Sequence, residues 1–156
     1  MRLYLASTSP ARLATLRAAG IDPVQLSSGV DEEAAVEAAG PLSAEDLVLL
    51  LARLKAEAVV GRMVDGEPID GFILGGDSAF ELDGAVYGKP HRPEIARERW
   101  LAQRGREGRL HSGHWLIDHR TGTTASAVGG VSTATVRFAP SVTDAEIDAY
   151  IATGEP

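Results

Sequence analysis

The chain has 156 residues, 44% of them hydrophobic, a formal net charge of −7 and no cysteine. Its length and apolar content suit one globular domain with a buried core, and the lack of cysteine excludes disulfides, thiolate metal sites and cysteine nucleophiles. The acidic balance argues against non-specific binding to nucleic acid or an anionic membrane surface, and no apolar run is long enough to span a bilayer, so a cytoplasmic location is the default.

Arg2 to Ala6 reads as a short buried strand. Ser9-Pro10 then supplies an N-cap and a proline at the first helical position, opening a helix through Leu13, Leu16 and Arg17 that should stop at Gly20. Pro23 to Ser28 reads as extended. A second helix is predicted from Ser43, with Asp46 three residues on as a weak capping box and an apolar stripe of Leu47, Leu50, Leu51, Leu54 and Ala58. Lys55 falls one position off that stripe, at the edge of the buried face.

Phe72 to Leu74 reads as a buried strand ending in Gly75-Gly76-Asp77-Ser78. Ala79 to Leu82 and Ala85 to Tyr87 flank Asp83-Gly84, the dipeptide of a tight type I′ hairpin. Pro93 opens a helix carrying Trp100 and Leu101. Trp115 to Asp118, Thr123 to Val128 and Val131 to Phe138 read as antiparallel strands, with a turn at Arg120 to Gly122. Thr143 and Glu146 form a capping box for a helix through Ile147, Tyr150 and Ile151, ended by Gly154. Strands mixed with helices, and hairpins late in the chain, imply an α/β fold with a mixed sheet.

Charge is unevenly spread. The first twenty residues hold Arg2, Arg12 and Arg17 and no acid, while His91 to Arg120 holds all four histidines and seven arginines against four acids. Local basic segments inside an acidic protein fit a small anionic ligand better than a polyanion, although solvated helix faces explain most of these arginines. Of fifteen Lys and Arg residues only Lys55 and Lys89 are lysine. Lysine binds phosphate as a compact point charge, unlike the planar fork of arginine; the plainer reading of the two is a remnant of biased composition.

Three segments carry candidate chemistry. Leu5-Ala6-Ser7-Thr8-Ser9-Pro10-Ala11-Arg12 joins a strand, a hydroxyl-rich turn and a helix N-terminus, which is a ready anion site. It lacks the glycine spacing and lysine of a Walker loop, and a simple cap reads it equally. Val30-Asp31-Glu32-Glu33 gathers three carboxylates, either a set of oxygen ligands for Mg²⁺ or Mn²⁺ or a solvated helix start. Asp77 follows a buried strand and two glycines, where α/β sheets place active sites; it would bind metal or act as general base, or simply form a turn. The hairpin at Asp83-Gly84 would bring Lys89 back toward Asp77.

Taken in order, Leu5 to Arg12, Gly29 to Glu32, Leu51 to Ala56, Gly75 to Ser78, Asp83 to Pro90 and Tyr150 to Pro156 resemble the Maf ("septum formation") nucleotide pyrophosphatases over the whole chain, in an actinobacterial type of sequence. The resemblance implies hydrolysis of nucleoside triphosphates to the monophosphate and pyrophosphate with a divalent cation, Mg²⁺ or Mn²⁺. It also implies removal of noncanonical or excess nucleotides, a tie to cell division, and a fold like that of inosine-triphosphate pyrophosphatases: an elongated mixed sheet flanked by helices, two lobes and a cleft. Asp77 matches the catalytic base, Ser7, Arg12, Glu32, Lys55 and Lys89 match the phosphate- and metal-binding set, and Ser78 stands at a position tied to base selection. Glu32 and Asp77 would hold the metal. The expected partner is the nucleotide, with a homodimer as the assembly to look for.

Three departures stand out. Ala11 replaces the first arginine of the Arg-Arg that follows Ser-Pro in dTTP/UTP-type members, Ser78 replaces a threonine, and Gly108 stands where a histidine is common, with His111 and His114 close by as substitutes. Base preference therefore does not carry over. The family continues past the last matched segment with further strands, so the sequence reads as a single Maf-like domain, residues 1–156, lacking its C-terminal part. The alternatives are a non-catalytic nucleotide-binding or regulatory protein linked to cell division, and a phosphatase or phosphotransferase acting on another phosphorylated metabolite.

Overall fold

The computed structural model describes residues 2–90 and 92–154. His91, one of the four histidines, and Glu155-Pro156, the end of the last matched segment, lie outside the described residues. In chain order the elements are β1 (Leu3–Ala6), α1 (Pro10–Ala18), β2 (Val24–Gln25), α2 (Glu32–Ala39), α3 (Ala44–Glu57), β3 (Met63–Val64), β4 (Glu67–Pro68), β5 (Gly71–Leu82), β6 (Ala85–Tyr87), α4 (Pro93–Gln103), β7 (Glu107–His119), β8 (Ser126–Arg137) and α5 (Asp144–Ala152). The main sheet has the order β2-β1-β5-β7-β8, with β6 added on β5. β1 runs parallel to both β2 and β5 while β6 is antiparallel to β5, so the sheet is mixed, as expected for the α/β class. No described helix is long and apolar enough to cross a membrane.

The chain divides into two compact units: the residues up to Asp77 with Ser112–Ser132, and Ser78–His111 with the residues from Thr133 on. In the first unit, Tyr4, Ala6, Ala56, Val59, Ile69, Ile73 and Ile117 form the core, with Trp115 packed against it. α3 lies directly on the sheet. A Cβ on Gly75 would come within 2.0 Å of the Ala52 carbonyl oxygen, and one on Gly113 within 2.3 Å of that of Val48.

That approach explains why the buried face of α3 differs from the predicted leucine stripe. Its buried residues are Ala44, Val48, Leu51, Ala52 and Ala56, and Ala58 is exposed. Where two backbones nearly touch, small side chains fill the contact, and the larger leucines are turned to its flanks. Only Leu51 of the predicted stripe is buried outright.

In the second unit α4 and α5 pack together. Trp100 meets Phe138 and Tyr150 edge-on, with centroids 5.2 and 5.4 Å away, and Arg97 bonds Asp148 at 2.7 Å. The expected hairpin is present: Asp83 and Gly84 both take positive φ between β5 and β6.

Most caps stand where predicted. Ser9 caps α1, Ser43 caps α3, and Thr143 with Glu146 makes a full capping box on α5. Four readings change. Gly75-Gly76-Asp77-Ser78 is no turn: neither glycine takes a positive φ, and β5 runs unbroken from Gly71 to Leu82 because it is paired along its length. β7 starts well before Trp115, and β8 is one strand instead of two. Pro23 to Ser28 contributes only the two residues of β2. Finally, the helix start read in the acidic triplet opens α2, and the β3–β4 hairpin, turned by Asp65-Gly66, was not foreseen.

Candidate active site

The register of β1 on β5 pairs Ala6 with Gly75. The next residues along, Ser7 on one side and Gly76-Asp77 on the other, therefore meet at the carboxyl end of β1, where a parallel α/β sheet opens its crevice.

Ser7 is buried, and its Oγ accepts hydrogen bonds from Arg12 Nη1 at 2.7 Å and from the Ser9 N–H at 3.3 Å. Ser9 Oγ in turn accepts from the Arg12 N–H at 3.4 Å, which seats Arg12 in the first turn of α1. The Arg12 side chain lies across Gly76, where a Cβ would sit 2.6 Å from its Nε. Burial lowers the Arg12 pKa, and the charge of Asp77 works the other way. No acid stands in the first turn of α1, so the helix dipole and Arg12 both present positive potential here.

On the α3 side, Lys55 Nζ donates to Asp77 Oδ1 at 2.7 Å and to Glu32 Oε1 at 2.8 Å. Only 12% of the Lys55 side chain and 15% of the Asp77 side chain are exposed, against 50% for Glu32. Lys55 precedes Ala56, which packs on Gly75, so the close helix–sheet contact sets the lysine beside Asp77, the next residue on the same face of the strand. Burial pushes the Asp77 carboxyl up; its bond to Lys55 opposes this and the charge of Glu32 adds to it. Burial also disfavours the Lys55 ammonium, but its two carboxylate partners outweigh that and raise its pKa.

Five of the predicted residues, Ser7, Arg12, Glu32, Lys55 and Asp77, thus stand in two bonded groups on neighbouring segments of the first unit. The acidic triplet is divided. Asp31 caps α2 through the Ala34 N–H at 3.0 Å, Glu33 is exposed, and only Glu32 reaches Lys55. Ser78 and Lys89 belong to the second unit, and both are exposed. Lys89 lies two residues past Tyr87, whose strand partner is Phe80. The flanking Gly88 and Pro90 line a cavity of about 390 Å³ walled by Phe80, Tyr87, Trp100, Phe138 and Tyr150.

The histidines separate clearly. His111 is buried between Thr133 Oγ1 and Glu81 Oε2, each at 3.0 Å, and His119 bonds Thr124 Oγ1 at 3.1 Å. His114 instead feels the positive charge of Arg12; burial first and Arg12 second lower its pKa.

Among the described residues no group of three or more His, Asp or Glu side chains is placed to hold a metal ion. The Asp77–Glu32 pair nevertheless suits Mg²⁺ or Mn²⁺, which bind through one or two carboxylates and complete their shell with water and substrate phosphates. The Lys55 ammonium held between the two carboxylates shows that they already share one cation.

The chain matches the Maf-like protein family over residues 2–156. A nucleoside triphosphate pyrophosphatase of Leifsonia xyli subsp. xyli is 72% identical, over all of this chain and 74% of its own length. One of Salinispora tropica is 48% identical, over all of this chain and 66% of its own. Among solved structures, a nucleoside-triphosphatase / dITP/XTP pyrophosphatase of Mycobacterium abscessus aligns over 90% of this chain and 74% of that one, at 19% identity and a TM-score of 0.46. By its match from residue 2 to residue 156, this chain belongs to the Maf family.

Proposed function

We propose that the protein is a nucleoside triphosphate pyrophosphatase, a hydrolase that releases the nucleoside monophosphate and pyrophosphate. The observation that carries this reading is the pairing of a half-buried, lysine-held carboxylate, Asp77, with the Arg12–Ser7 anion seat at the carboxyl end of β1. Cations that neutralise a polyphosphate stand beside a carboxylate with a raised pKa, the combination needed to activate water against a phosphoanhydride.

In this scheme Arg12 and Ser7 take the phosphate chain, and Lys55 adds a point charge to it. Water adds to the α-phosphorus, the bond from that phosphorus to the bridging oxygen breaks, and pyrophosphate leaves with that oxygen. Asp77 accepts the proton of the attacking water. Asp77 and Glu32 would hold the divalent cation, which when bound would neutralise charge building on the phosphates. Lys55 holds both carboxylates in place before substrate arrives.

The test is incubation with a panel of standard and modified nucleoside triphosphates plus Mg²⁺ or Mn²⁺. Release of monophosphate and pyrophosphate, lost in Asp77→Asn, supports the reading. Orthophosphate as the sole inorganic product would indicate a phosphatase, and binding without turnover would indicate a nucleotide-binding protein.

A further inference from the structure

On β5 the side chains alternate strictly about the glycine pair. Gly75 and Asp77 face α3, through Ala52 and Lys55, while Gly76 faces the opposite side, where the Arg12 side chain covers it. β7 is the next strand in the sheet and alternates in the same way. Gly113 faces Val48 of α3, and Trp115 lies under Arg53 of α3 with its ring centroid 5.4 Å from the guanidinium carbon. His114, between them, therefore projects to the Arg12 side of the sheet.

Of the three described histidines, His114 alone has no hydrogen-bond partner among the described residues; His111 and His119 are both held by hydroxyls. A half-buried imidazole with no hydrogen-bond partner among the described residues, on the side of the sheet where the Arg12 side chain lies, has a ring N–H to offer. An anion held by Arg12 would accept it.

Resting on the pyrophosphatase reading, we infer that His114 completes the phosphate seat with Arg12 and donates a hydrogen bond to the bound phosphate chain. Burial first and Arg12 second disfavour the imidazolium in the free protein, and a bound polyphosphate offsets the charge of Arg12, so binding draws a proton onto His114. The other charges nearby do not substitute for the ligand. Asp118, on the same face of β7, is bonded to Arg120 at 2.6 Å. Lys55, Asp77 and Glu32 pair with one another on the α3 side. The Ser126–Ser132 stretch of β8 contains no titratable side chain.

The experiment is an NMR titration of ring-labelled histidines in the full chain, with and without inorganic tripolyphosphate and without metal. His114→Phe serves for assignment, and calorimetry measures binding in parallel. With ligand the His114 midpoint moves up by about one pH unit. His114→Phe raises KM for the triphosphate about tenfold with kcat little changed, and His114→Gln, which keeps a donor, recovers part of the loss. Tripolyphosphate that binds by calorimetry without moving His114, together with a normal KM in His114→Phe, overturns the inference and leaves the pyrophosphatase reading intact. Absence of tripolyphosphate binding, or an Arg12→Ala variant with unchanged KM, overturns both.

Discussion

The two adjacent glycines, Gly75 and Gly76, do different work, and so do the residues they permit. Gly76 leaves room for Arg12, whose contact at that point is the mobile part of a long side chain. Gly76→Ala therefore displaces the guanidinium from Ser7 at little cost in stability: we expect a rise of about tenfold in KM and a nearly unchanged melting temperature, read by steady-state kinetics and calorimetry. Lys55 is a second such point. A planar guanidinium cannot occupy the single spot 2.7 Å from Asp77 and 2.8 Å from Glu32, so Lys55→Arg should lower kcat/KM about a hundredfold, a loss of roughly 2.7 kcal/mol in transition-state stabilisation, though the charge is kept. Asp77 adds a pH dependence. Its folded pKa is raised, and it must be ionised to accept a proton, so kcat/KM should fall as pH drops through a value above the ordinary carboxylate range. The linked effect on stability has the opposite sense: a raised folded pKa favours the native state below the unfolded value, and that contribution is lost as pH rises through the folded one. Lys55 and Asp77 stood out as candidates from composition and from the strand-glycine context. Their bond was not legible, because it joins residues 22 apart in sequence through a helix–sheet contact that periodicity alone does not orient.

At the scale of elements, the contact of α3 with β5 and β7 decides where the site residues stand. Apolar periodicity pointed to leucines because they are the largest apolar side chains on α3, yet the sheet chose Ala52 and Ala56, since Gly75 and Gly113 bring the two backbones together. Gly75→Ala places a methyl against the helix backbone, which has no soft side chain to yield. We predict a loss of about 1–3 kcal/mol in urea denaturation, in contrast to the near-neutral Gly76→Ala. Caps and the Asp83-Gly84 turn were readable because their chemistry is local. The start of α2 was readable in the acidic triplet for the same reason, while its extent was not, because the alanine-rich turns that follow form no buried stripe. The glycine-rich middle of β5 was read as the end of a strand because strand pairing on its neighbours, which keeps it extended, is not revealed by the local sequence.

Over the whole molecule, burial is unequal between the two units. The first holds most of the buried apolar residues, including Tyr4, Leu5, Val48, Leu51, Ile69, Ile73 and Ile117, while the second holds Ala79, Leu82, Ala96 and Ile147. Each unit carries one tryptophan, Trp115 in the first and Trp100 in the second. Trp100→Phe and Trp115→Phe variants thus give a separate fluorescence signal for each unit, and we expect the Trp115 transition at higher urea than the Trp100 transition. The mixed sheet and the family were legible in the sequence, since the motifs are spread along the entire chain; the division into units was not, because β5, β7 and β8 each pass from one unit to the other.

The most direct test of pyrophosphohydrolysis is to run the reaction in ¹⁸O-water with Mg²⁺ and a triphosphate that is turned over, and to weigh the products. Attack at the α-phosphorus, with the Asp77–Lys55–Glu32 group beside the Arg12–Ser7 seat, predicts one ¹⁸O in the nucleoside monophosphate, none in pyrophosphate, and no product from Asp77→Asn. Label found in orthophosphate, or in pyrophosphate in place of the monophosphate, would contradict it.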